Sequence, residues 1–206
     1  MASQVPLLLV MPMAAEVAIF PLHTVLFPGG LLPLRVFEQR YMEMAKACLR
    51  EEQPFGVCGI REGAEVGAPA TPEDVGCLAR IVQWDMPQLG LLHITARGER
   101  RFRILRRRVQ PDGLARAEIE FIPEDTDVPV PERFTACRRL LERIAEERGA
   151  RLFAEPFRFD SSAWVSARLA EVLPLPLAAK QRLLELGDGL ERLEILHRLL
   201  LQQREE

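Results

Sequence analysis

Seven arginines fall within twelve residues, Arg97, Arg100, Arg101, Arg103, Arg106, Arg107 and Arg108, and form the sharpest charge feature of the chain. Guanidinium groups at that density can neutralise phosphates, so one reading is an RNA-contacting edge made of Arg101, Arg103, Arg106, Arg107 and Arg108. The other reading is a solvated strand face. Pro111-Asp112-Gly113 is a hairpin signal. A hairpin closed there pairs Phe102 with Phe121 and Ile104 with Ile119, and sets Arg103 opposite Glu120, which neutralises part of the run. Aromatic residues for base stacking are absent from this face. The residues favour the solvated face, and nucleic acid is not the expected partner.

A second polar group, Arg35, Glu38, Arg40 and Tyr41, falls where an extended segment gives way to a helix. It could line a recognition groove at that junction. It could equally be a structural network in which Arg and Glu tie the helix start to the strands while Tyr41 packs. Glu38 near a helix N-terminus is favourable through the macrodipole, and the structural reading is the stronger of the two.

Nothing in the sequence assembles a catalytic set. No G-x-S-x-G or H-E-x-x-H occurs. Serine is found at Ser3, Ser161, Ser162 and Ser166, and a Ser-Lys pair would have to use Lys46 or Lys180, the only lysines, both on predicted helices with no motif beside them. His23, His93 and His197 are scattered, and Cys48, Cys58, Cys77 and Cys137 show no C-x-x-C pair or zinc-type spacing. No enzyme activity, metal or cofactor is expected. Cys48 on an apolar helix face and Cys77 in a strand-like run read as buried reduced thiols, which points to the cytoplasm.

The elements that would hold these residues follow from periodicity. The 206 residues are 48% hydrophobic and 28% charged with a net charge of -3, a globular composition with no global attraction to nucleic acid or anionic membrane. Val5 to Ala15 is apolar like a signal-peptide core. However, no Lys or Arg precedes it, Pro6 and Pro12 interrupt it, and it is far short of the ~20 residues of a membrane span. Residues 1–16 are therefore expected to be an N-terminal extension, with Met11 and Met13 as alternative starts. Strand-like runs follow at Val17 to Phe20, Thr24 to Phe27 and Leu31 to Phe37, with Pro28-Gly29-Gly30 as a sharp turn. Tyr41, Met44, Ala45, Cys48 and Leu49 then recur at helical spacing. Further strands are expected at Phe55 to Ile60, Val75 to Trp84, Leu91 to Thr95, Arg101 to Val109 and Leu114 to Ile122. A surface loop is expected at Arg61 to Asp74, another loop at Asp85 to Gly90, and a break at Gly98.

After the Pro- and acid-rich connector Pro123 to Pro131 the period becomes helical. Helices are expected from Pro131 to a stop at Gly149, after a cap at Asp160 or Ser161, from Leu177 to Leu186, and after a capping box of Asp188 and Glu191. The fold class is α+β, with a β-rich unit over 17–122 and a helical unit over 123–206.

The run FPLHTVLFPGGLLPLRVFEQRYMEMA, residues 20–45, resembles the opening signature of the Lon N-terminal domain. That family's pattern is a Phe-Pro-Leu start, then VLFPG, then LPLRIFEPRY and a helix. Phe55-Gly56-Val57, Gly76 to Ile81, Arg101 to Ile104, Leu169-Ala170-Glu171, Leu173-Pro174-Leu175 and Lys180 to Glu185 match in the same order. Gln39 replaces a usual proline and His23 a usual charged or polar residue, and neither disturbs the pattern. The resemblance implies a PUA-like β-barrel followed by a helical bundle. It also implies a non-catalytic, cytoplasmic, bacterial module that binds unfolded or exposed polypeptide segments and associates with a protease or chaperone. A Lon ATPase needs a G-x-x-x-x-G-K-[ST] phosphate loop. Lys46 is followed by Ala and Lys180 by Gln, so ATP hydrolysis is not expected, and the resemblance implies a recognition domain standing alone.

Overall fold

The computed structural model describes residues 15–202; the N-terminal extension, with Met11 and Met13, lies outside them up to residue 14. The first strand, β1 (Ala15–Leu22), is buried from Val17 to Leu22. Its inner position explains the unbroken apolar run: it pairs in parallel with β3 (Phe55–Glu62) and antiparallel with β6 (Ala115–Phe121). A hairpin cannot join parallel neighbours, and the link from β1 to β3 runs through β2 (Leu31–Val36) and α1 (Gln39–Glu51). Helix α1 buries Tyr41, Met42, Met44 and Ala45 on one face. It ends where Glu52 turns left-handed (φ 53) and the Gln53 amide donates to the Cys48 carbonyl at 3.1 Å.

The two long strands β4 (Thr71–Gln88) and β5 (Leu91–Val109) complete a six-stranded mixed sheet of order β2-β5-β4-β3-β1-β6. The second half of β5 also pairs with β6, so β1, β3, β4, β5 and β6 form a pairing circuit. The register there is Phe102 to Phe121, Arg103 to Glu120 and Ile104 to Ile119, as the hairpin signal predicts. Three expectations are corrected. The loop expected at Arg61 to Asp74 is shorter, because β3 runs to Glu62 and β4 begins at Thr71. The segment expected to loop at Asp85 to Gly90 is mostly strand, because β4 continues to Gln88 and only Leu89 and Gly90 turn. Gly98, expected as a break, lies inside β5, where the missing side chain admits a neighbouring backbone: a Cβ there would sit 2.2 Å from the Phe27 carbonyl oxygen.

The helical half follows a 3-10 turn at Glu132–Phe134 and comprises α2 (Thr135–Leu152), α3 (Ser162–Val172), α4 (Leu177–Glu185) and α5 (Gly189–Gln202). Helix α2 runs through Gly149 instead of stopping there. The Ser161 hydroxyl caps α3 by accepting from the Trp164 amide at 3.0 Å. Asp188 accepts from the amides of Leu190 (2.7 Å) and Glu191 (3.2 Å) at the start of α5. Gly189 lets α5 meet α3 closely, since a Cβ would lie 2.4 Å from Ala163 Cα. The helices share one apolar cluster around Leu141, Phe153, Val165, Leu169, Leu193 and Leu196. Among the described residues no helix is long and apolar enough to cross a membrane.

Candidate functional site

The sequence from Thr24 to Phe27 does not form a strand. It is the arm by which the sheet engages the helices. Phe27 is fully buried and belongs to the helical cluster together with Val25 and Val75. The turn after it docks on β5 through Gly29 N–H to Gly98 O (2.8 Å) and Gly98 N–H to Gly30 O (2.9 Å). From the other side, fully buried Arg168 of α3 donates to the Pro28 carbonyl at 2.8 Å and pairs with Glu171 at 2.9 Å. The Phe27 amide donates to the Glu171 carboxylate at 3.3 Å. Gly30 leaves room for that carboxylate, because a Cβ would fall 2.0 Å from its Oε1. Burial outweighs Arg168 here and pushes the Glu171 carboxyl up to about 7. The same burial lowers Arg168.

A second tie lies one strand away. Arg101 of β5 and Arg192 of α5, 3% and 1% exposed, share the single carboxylate of Asp125, at 2.5 Å and 2.7 Å. Arg101 also donates to the carbonyls of Leu184 (2.8 Å), Leu186 and Pro123 (3.0 Å). Arg192 donates to the carbonyls of Leu183 (2.8 Å) and Leu186 (2.9 Å) and to the Ser166 hydroxyl (3.2 Å). Buried charges persist only when their donors and acceptors are met in this way.

Between the two ties opens a cleft of about 430 Å³. Its walls come from the Pro28-Gly29 turn, from Arg97 to Arg101 on β5, from the Ile122 to Asp127 connector, and from Trp164 on α3. The Trp164 ring is held by Phe159 and Phe153, centroids 5.2 and 5.9 Å away. Arg100 stacks over Phe121 at 4.1 Å. Arg158 pairs with Asp127 at 2.8 Å. Apolar and charged side chains thus share the lining of the cleft.

The residues singled out by sequence fall in three places. Arg35, Glu38 and Tyr41 line a separate groove of about 290 Å³ with exposed Phe37 and Val66. Arg40 is buried: it pairs with Glu38 at 2.9 Å, donates to the carbonyls of Gly67 (2.8 Å) and Gly113 (3.3 Å), and lies over the Tyr41 ring. Tyr41 stacks on Phe20 at 4.0 Å, and burial raises its hydroxyl pKa. Arg103, Arg106, Arg107 and Arg108 are exposed on the far part of β5, opposite Glu120, Glu118, Ala117 and Arg116 respectively, and Arg108 pairs with Glu16. Arg101 departs from its grouping with them. It shares a face of β5 with Arg103, but at its position the carbonyls of Leu184 and Leu186 cover that face, and its guanidinium is consumed by Asp125 and three carbonyls.

A groove between sheet and helices fits the binding-module expectation, but its lining residues are not grouped by sequence. Arg97 and Arg100 stood in the arginine run, but Trp164 and Ile122 read only as helix stripe and strand end. Among the described residues no cluster of three or more His, Cys, Asp or Glu is arranged to hold a metal ion.

A six-stranded mixed sheet locked to helices through a Phe-Pro-Gly-Gly turn, with a cleft at the seam, defines a class of α+β domain. The chain matches the ATP-dependent protease La (LON) substrate-binding domain over residues 16–202 and belongs to that family. It is 28% identical to a Lon protease of Anaeromyxobacter dehalogenans over 200 residues, 93% of this chain and 24% of that protein. It is 27% identical to protein cereblon of Danio rerio over 103 residues, 48% of this chain and 23% of that protein. The chain thus spans about a quarter of the length of these curated relatives. The crystal structure of a Lon N-terminal domain protein from Xanthomonas campestris matches with TM-score 0.74 and 35% identity, covering 89% of this chain and 98% of that one. The N-terminal domain of Mycobacterium avium complex Lon protease shares the fold at TM-score 0.57 and 21% identity, over 88% of this chain and 96% of that one.

Proposed function

We propose that the protein is a non-catalytic binding module that takes segments of unfolded or exposed polypeptide into the cleft between sheet and helices. The observation that carries this reading is the cleft's composition: Trp164, Ile122 and Pro28 offer an apolar floor beside a rim of charged side chains. Membership in a substrate-binding domain family supports it. We read the pairing circuit of residues 17–122 as a PUA-like barrel and residues 123–206 as a helical bundle, the latter supported by the cluster the helices share. A protease or chaperone that receives the bound segment is the matching partner. The cysteines, three buried and all free, support a cytoplasmic setting.

A photo-crosslinking side chain placed at Glu124, exposed on the cleft wall, tests the reading against one placed at exposed Arg50 on α1. A reduced, carbamidomethylated unfolded polypeptide should be captured from position 124 and not from position 50. Equal capture at both positions, or none at 124, overturns it.

A further inference from the structure

The cleft's lining carries Arg97, Arg100, Arg101 and Arg158 against Glu99, Glu124, Asp125 and Asp127, but ion pairing engages them unevenly. Arg97 and Arg100 reach its rim from β5, and neither has an ion-pair partner among the described residues. Arg101 in the wall and Arg192, outside the lining, share one carboxylate, Asp125, which leaves that carboxylate fully engaged. The wall's other acids are mostly engaged: Glu99 by Arg80 at 2.5 Å, and Asp127 by Arg158 at 2.8 Å and by the Ser161 hydroxyl at 2.8 Å. Only Glu124 offers a free carboxylate among the described side chains of the wall. A concave site with low-dielectric walls concentrates the field of the two unpaired guanidinium groups. Its positive rim stands beside Trp164 and Ile122.

We infer that the cleft selects polypeptide segments in which an apolar side chain is followed by a carboxylate, the apolar group resting on Trp164 and Ile122 while the carboxylate pairs with Arg97 and Arg100. This rests on the binding function proposed above and names the chemistry of what is bound. Guanidinium–carboxylate contacts are charge-assisted and can be bidentate. Desolvation by the apolar floor strengthens them over a fully exposed pair. The carboxylate is that of an acidic side chain within the segment; a chain terminus presents the same two oxygens and is the alternative the test must exclude.

Calorimetric titration of the intact protein with three peptides separates these sources. One is a Gly/Ser decapeptide with a central Leu-Phe-Glu and an amidated end. The second replaces Glu by Gln. The third ends in Leu-Phe with a free carboxylate. The Leu-Phe-Glu peptide should bind at least tenfold more tightly than its Gln counterpart at low salt, with the advantage shrinking as salt rises. The third peptide should show a smaller advantage over its own amide; an equal or larger one overturns the assignment to an internal acidic side chain. In an Arg97→Gln/Arg100→Gln variant, whose changes are at exposed positions, the ratio of the affinities for the Leu-Phe-Glu peptide and its Gln counterpart should fall to about one.

Equal affinity for the acid and amide peptides overturns the inference, as does a preference that survives in the double variant. If no peptide binds, the acid preference also falls, and capture at position 124 then reports separately whether the cleft takes polypeptide.

Discussion

Burial raises the Glu171 carboxyl to about 7, against 4.5 for the free side chain, although Arg168 stands 2.9 Å away. A folded-state pKa above the unfolded one means that the folded protein binds more protons between those two values. The contribution of Glu171 to stability is therefore greatest below pH 4.5 and declines as pH rises through 7. Glu171→Gln is neutral throughout, so its melting temperature relative to the native protein should be higher at pH 8 than at pH 5. A pH-independent difference between the two proteins would refute this. The same residue shows what sequence can carry at this scale. Leu169-Ala170-Glu171 is readable as a family position, but nothing local reports that the carboxylate meets a turn 144 residues away. Arg101 falls with its exposed neighbours in sequence for the same reason: its partner Asp125 comes from the connector, and alternation within β5 does not reveal which part of a face the helical half covers.

The Pro28-Gly29-Gly30 turn was legible as a turn, since Gly29 adopts φ 76 and proline fixes the residue before it. Its destination was not, because turn chemistry specifies a bend and not what the bend touches. Strand β6 was legible because Ala115, Ala117 and Ile119 face inward while Glu118 and Glu120 face out. The strand beyond Trp84 was not, because Met86 and Leu89 are exposed and no buried face imposes a period there. The turn's role as a joint yields its own prediction. Gly30→Ala places a methyl against Glu171 Oε1 and should cost about 1–3 kcal/mol in urea unfolding, the range for overpacking. Glu171→Ala removes the opposing atom, so in that background Gly30→Ala should cost clearly less, with a coupling of at least about 0.5 kcal/mol. Additive effects would show that the turn relaxes without engaging α3.

Sheet and helices are joined at the scale of the whole molecule by contacts that neither half could satisfy alone. Phe27 leaves the sheet to fill the helical core, and Gln181 of α4 donates to the Val75 carbonyl of β4 at 3.0 Å. Asp125 serves an arginine from each side. The cleft exists only where these ties hold its walls apart, and its walls come from segments around residues 28, 100, 124 and 164. That is why no local pattern announced it. If the helices melted first, Arg101 would lose the carbonyls of Leu184 and Leu186 and the sheet would keep an exposed Phe27. Partial unfolding is therefore costly, and the two halves should lose structure together. Each half carries a probe. Trp164 fluorescence in a Trp84→Phe background follows the helices. Maleimide modification of Cys58 and Cys77 follows the sheet in a Cys48→Ser/Cys137→Ala background, because both thiols are buried and burial raises their pKa. The two urea transitions should coincide. Asp125→Ala strands Arg101 and Arg192 without their carboxylate, and should shift both transitions by a common loss of about 3–5 kcal/mol, the cost of breaking a buried pair. A shift of the Trp164 transition alone, with the thiols still protected, would mean that the helical half unfolds independently and that the cleft is an accident of docking.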